Sequence, residues 1–136
     1  MDLRTQKTEK TITDAFLSLR ARKPLEKITV RELCTQAQIN RSTFYDHYRD
    51  VYDLADRLED AAVQEILDSI AHPETLLHDT ARFTRELFAA FAPREELLNV
   101  LFSGSRRGLM SAKIAAALQE LVYARYPQYR DDLEFR

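Results

Sequence analysis

A chain of 136 residues is one domain or two small ones, large enough to bury a core without covalent staples. Its 45% hydrophobic and 31% charged residues fit a globular rather than a disordered protein. The single cysteine, Cys34, excludes an internal disulfide and a multi-cysteine zinc site, and having only Gly104 and Gly108 excludes glycine-rich phosphate loops and argues against β-structure.

The net charge of −2 divides unevenly. Residues 1–50 carry ten Lys and Arg against seven Asp and Glu, a net +3; residues 51–136 carry ten against fifteen, a net −5. A basic head on an acidic body permits a nucleic-acid contact at the head without requiring one. No apolar run approaches the roughly 20 residues of a membrane span. The N-terminus has no apolar stretch behind its charges, so no secretory signal is read there. The expectation is a cytoplasmic protein with no membrane partner.

The apolar spacing is helical nearly throughout. A first helix over residues 5–22 carries Ile12, Ala15, Phe16 and Leu19 as one stripe, and Lys23-Pro24 ends it. Leu25 and Ile28 tuck the connection onto the core. Thr29-Val30-Arg31-Glu32 reads as a capping box opening a short helix over 30–37, with Val30, Leu33, Cys34 and Ala37 on one face. After the turn Gln38-Ile39-Asn40, Asn40 caps a helix over 41–48 that buries Phe44 and Tyr48.

Asp50 caps a fourth helix over 51–71, with Leu54, Leu58, Ala61 or Ala62, Ile66 and Ile70 as its seam. Pro73 breaks it. A fifth helix is predicted over 74–92, with Leu76, Leu77, Phe83, Leu87, Phe88 and Phe91 as its apolar residues, and a sixth opens at Pro93 and runs to Ser103. Residues 103–108 form the clearest loop. A seventh helix covers 109–126, its arc of Met110, Ile114, Ala117, Leu118, Leu121 and Val122 apolar and its Ala115-Ala116-Ala117 run open to close approach.

Two short helices joined by a tight turn behind a longer helix describe a helix-turn-helix. With Phe44 and Tyr48 inward, Arg41, Ser42, Thr43 and Tyr45 are left on the outer face or leading end of the second short helix. Arginine suits guanine edges or phosphate, hydroxyls suit either, and tyrosine suits phosphate and thymine methyls. Thr29 is positioned for a backbone contact.

Residues 8–56 resemble the N-terminal DNA-binding domain of the TetR/AcrR transcriptional regulators. The likeness rests on Ile12, Ala15 and Phe16, on Ile28-Thr29-Val30-Arg31-Glu32-Leu33, on Ala37, and above all on Ser42-Thr43-Phe44-Tyr45-Asp46-His47-Tyr48, with Leu54 six residues on. It implies an all-α, TetR-like fold: a homeodomain-like three-helix head (1–50) joined to a helical ligand and dimerisation body (51–136). It implies a homodimeric regulator, usually a repressor, that binds a pseudopalindromic double-stranded DNA operator and is released by a small-molecule effector. Carried over by position, the DNA contacts are Thr29, Arg41, Thr43, Tyr45 and His47, with Ser42 beside them.

Three departures stand out. Gln38 occupies the turn position where the family usually has glycine, and Val51 the position of a phosphate-binding lysine. Asp50 and Asp53 beside it repel phosphate, so Arg49, Tyr52 or the arm residues Arg4 and Lys7 are the substitutes. The chain is also shorter than the family's usual length. It is either a short member or lacks C-terminal helices, and the seventh helix then lies in the dimer face or beneath the missing ones.

Elsewhere plainer readings prevail. His72 and His78 lack a third metal ligand. Cys34 is a small core residue. No convergent titratable cluster suggests an enzyme, and no cofactor is expected. Phe83, Phe88, Phe91, Phe102 and Tyr123 (with Tyr126) are core or the lining of an effector pocket. Arg106 and Arg107 sit in a solvated loop. The competing function is a co-regulator that binds protein with the same head.

Overall fold

The computed structural model describes residues 2–129, so Met1 and the tail 130–136 fall outside the described residues. Within them there is helix and turn but no strand. The chain forms two compact units: residues 1–59 with 97–107, and residues 60–96 with 108–136.

The first unit is built on α1 (Leu3–Arg20), α2 (Val30–Ala37), α3 (Arg41–His47) and the first half of α4 (Val51–Asp68). Asp2 caps α1 by accepting from the Thr5 amide, so the helix begins two residues earlier than its apolar stripe suggests, and Arg4 is helical rather than part of an arm. Ile12, Ala15, Phe16 and Leu19 are buried, as their spacing predicts. They meet Leu25, Ile28, Leu33, Cys34, Ala37, Phe44, Tyr48, Val51 and Leu54 in one core.

Cys34 is 5% exposed, and burial pushes its thiol up, which suits a core residue rather than a redox sensor. Thr29 caps α2 through the Glu32 amide at 3.1 Å. The reciprocal half of the capping box does not form, because the Glu32 carboxylate is taken by Lys23 Nζ at 2.8 Å.

Val51 is buried in this core. Asp50 caps α4 by accepting from the Asp53 amide, and Asp53 reaches back to the Arg49 amide. Residues 97–107 add a strap to the unit. Arg20, 5% exposed, donates to the carbonyls of Leu101 and Ser103 and to the Ser103 hydroxyl, and Ser105 donates to Glu26.

The strap also corrects the reading of Arg106 as part of a solvated loop. Its guanidinium grips both oxygens of the fully buried Glu59 at 2.8 and 2.9 Å, and Asp56 at 2.8 Å. Gly104 supplies the one turn of the strap that needs a left-handed backbone (φ 59°).

The second unit comprises the rest of α4, α5 (Thr75–His78), α6 (Thr80–Phe91) and α8 (Leu109–Arg125), with α7 (Glu95–Leu101) divided between the units. The predicted fifth helix is interrupted. Asp79 leaves the helical region (φ −143°, ψ 77°) and accepts from the Arg82 amide, starting α6 afresh after a single turn of α5. That reset changes the helical phase, and Leu77 and Phe88 come out 48% and 69% exposed.

The helix predicted from Pro93 to Ser103 is present but shorter, as α7 (Glu95–Leu101), and Pro93 itself precedes it. Pro93 sits in a 3₁₀ turn, Ala92–Arg94, between α6 and α7. Leu67, Ile70 and Phe83 form the core here, packed by Leu76, Leu87, Ala117, Leu118 and Leu121. Half of the α8 arc is therefore used within its own chain.

Candidate nucleic-acid interface

The geometry of the site is set by the turn between α2 and α3. Gln38 adopts the left-handed conformation at φ 59°, ψ 45°. Its amide bonds to the Thr35 carbonyl at 3.3 Å and the Ile39 amide to the Cys34 carbonyl at 3.0 Å, the paired bonds of a Schellman ending. Ile39 packs on the core, as that motif's apolar residue does. Asn40 then caps α3 by accepting from the Thr43 amide at 2.8 Å. The departure from glycine has left the turn intact, with a side chain in a region that glycine occupies without strain.

From this start, α3 turns Phe44 fully inward, and Tyr48 follows as a buried residue just past its end. Their rings lie 5.7 Å apart. Arg41 and Ser42 are exposed at the leading end, Thr43 is half-buried, and Tyr45 is 54% exposed with its ring edge-on to Phe44 at 5.4 Å. Thr29 is exposed at the start of α2. Beside it runs an open groove of about 540 Å³ bordered by Arg22, Arg31, Thr35 and Gln36. Arg22 is braced across it by the Gln36 side chain at 3.3 Å.

Arg31 is exposed in the first turn of α2, close to Thr29, and is a candidate contact that the sequence reading did not single out. Its position one residue past the first helical residue was the available signal. Arg4 and Lys7 are exposed on the first turns of α1.

His47 differs from its neighbours. Its side chain is 14% exposed, and Nδ1 donates to Glu9 Oε1 of α1 at 3.3 Å. Nor is Asp53, in the first turn of α4, an idle charge facing outward. Asp53 is 10% exposed and lies against Arg57 and Arg49. The Arg49 amide, then the Arg57 and Arg49 guanidiniums, hold its carboxyl below the usual carboxylate range.

The five aromatic candidates for an effector pocket are divided between the two units. Phe102 is buried and belongs to the first unit, while Phe83 lies in the core of the second. Phe88 is exposed, Phe91 is half-buried, and Tyr123 accepts from the Gln119 amide side chain. The second unit does carry an open groove of about 360 Å³, floored by Leu67, Ile70, Ala117 and Leu121 and edged by Asp68 and Glu120.

Among the described residues no cluster of His, Cys, Asp and Glu could hold a metal ion, and no helix is long and apolar enough to cross a membrane. The chain matches no family model, no curated protein and no solved structure.

Proposed function

We propose that this protein is a sequence-specific DNA-binding transcriptional regulator of the TetR/AcrR type, with α2 and α3 as a helix-turn-helix and α3 as its reading helix. The observation that carries the reading is the division of α3. Phe44 is fully buried, while Arg41, Ser42 and Tyr45, which suit base edges and phosphates, face solvent on one short helix. The tight turn at Gln38, the exposed Thr29 and Arg31 beside it, and the net +3 of residues 1–50 support the same reading.

A head of this size reads only a few base pairs, so tight binding requires two of them on successive major grooves, about 34–36 Å apart. The regulator therefore acts as a homodimer on a pseudopalindromic operator, as a repressor. The groove over Leu67, Ile70 and Leu121 is the volume open to a small, largely apolar effector.

The test is selection of bound sequences from random duplex DNA, repeated at two salt concentrations. A palindromic consensus whose affinity falls steeply with salt is the expected result. Recovery of no consensus overturns the proposal. One observation favours the co-regulator reading: Val51 is a core residue and both Asp50 and Asp53 are used as caps, which leaves the exposed Arg49 as the cation at the start of α4. Failure to bind any duplex would favour that reading.

A further inference from the structure

We infer that Glu9 and His47 form a positioning pair: His47 serves DNA reading by fastening the end of α3 to α1, not by touching the nucleic acid. The inference rests on the DNA-binding reading above and concerns how that site is held.

The two ends of α3 are secured differently. Its start is fixed locally, by the turn at Gln38 and the Asn40 cap. Its end, where the backbone turns extended at Tyr48, is held by groups far away in sequence. His47 Nδ1 donates to Glu9 Oε1 of α1, 38 residues away, with the two side chains only 14% and 31% exposed. Arg57 of α4 donates to the His47 carbonyl at 3.1 Å, lies over the Tyr48 ring at 5.2 Å, and pairs with Asp53 at 3.4 Å. One side chain from α1 and one from α4 thus pin this end of the helix.

The lever is short. Seven residues span about 10 Å, so a slip of roughly 2 Å at His47 tilts the helix by about 10°, at the edge of the tolerance for a recognition geometry. Arg41, Ser42 and Tyr45 would all be carried off target together. An imidazole spent on Glu9 is poorly available to a phosphate, and a carboxylate at that spot would repel one.

This opposition of sign makes the pair testable. If Glu9 were only an acidic side chain near the DNA, its removal would raise affinity for every duplex. If it positions α3, its removal lowers affinity for the selected operator and leaves a scrambled duplex unaffected or bound slightly better.

The experiment uses the full chain and compares wild type, Glu9→Leu and Glu9→Gln on the selected operator and on a scrambled duplex, with melting curves alongside. Glu9→Leu should lose about tenfold on the operator, the equivalent of one hydrogen bond to a charged group. Glu9→Gln, which keeps an acceptor oxygen at the same reach, should stay within about twofold of wild type. His47→Asn should weaken operator binding without changing its salt slope, whereas loss of a direct cationic phosphate contact lowers that slope by about one per subunit.

Operator affinity retained or raised in Glu9→Leu, or a lowered slope in His47→Asn, overturns the positioning role while leaving the DNA reading intact. A wild type that selects no sequence overturns both. Should Glu9→Leu melt early, Glu9→Ala carries the same comparison.

Discussion

Gln38 stores a small strain that one substitution can release. A left-handed backbone costs a β-carbon-bearing residue about 1–2 kcal/mol, and glycine returns part of that through its greater freedom in the unfolded chain. Since Gln38 is exposed and its side chain is not buried in the core, Gln38→Gly should stabilise the head by roughly 0.5–1 kcal/mol, read as a higher urea midpoint at unchanged slope. A loss of stability would mean that the side chain makes a contact worth more than the strain.

On α3 the two faces separate cleanly. Phe44→Ala should cost about 3–5 kcal/mol, because Phe44 is fully buried. Tyr45→Phe should leave the melting temperature nearly unchanged while weakening operator binding by about 1–3 kcal/mol. The apolar half of this contrast was legible in the sequence, since Phe44 and Tyr48 recur four apart. The Glu9 partner of His47 was not, because a histidine at the end of a helix carries no local sign of which helix will meet it.

At the scale of elements, caps and straps set the boundaries. Asp2, Thr29, Asn40, Asp50 and Asp79 each accept from an amide three residues on; Asp2 and Asp79 were missed, Asp79 because it is hidden inside a periodic apolar run. Asp53 adds a pH dependence. Its carboxyl is held below its ordinary value, first by the Arg49 amide. A group depressed in the folded state stabilises it above the unfolded value, about 4, and loses that contribution as the pH falls through the lowered folded value. The head should therefore soften on acidification below about pH 4. Asp53→Asn should flatten the acid limb of stability against pH; an unchanged acid limb would assign the loss to other carboxylates.

The strap gives a sharper test. Arg106→Met strips the buried Glu59 of its guanidinium and should cost about 3 kcal/mol or more. The double variant Glu59→Leu with Arg106→Met should recover most of it, since a packed apolar pair needs no desolvation of charge. A double variant no better than the single would show that the strap depends on charge itself.

For the whole molecule, the proposed function requires association. Sedimentation at micromolar concentration should report a dimer, and a stable monomer would refute it. The α8 arc looks different in the fold than in the sequence. Ala117, Leu118 and Leu121 pack on Leu67, Ile70 and Phe83 of the same unit. Leu118→Glu should therefore lower the melting temperature whatever the protein concentration, rather than dissociate a dimer into intact subunits. Val51→Lys would do more than add a phosphate contact. The position is 7% exposed, so any gain in phosphate attraction is offset by lost packing, and the expected outcome is a steeper salt slope with lower stability.

What the sequence determined by itself was local: helix identity, most caps, the inward stripes of α1 to α4 and the outward run on α3. These features arise among residues within four positions of each other, so spacing and side-chain type suffice to read them. What only the tertiary structure decided was partnership across distance: His47 with Glu9, Arg106 with Glu59, Arg20 with Ser103, separated by 38, 47 and 83 residues. Each joins a charged or titratable group to particular partners among many of their kind. Periodicity says which face such a group occupies, but only the folded chain brings its partner within reach.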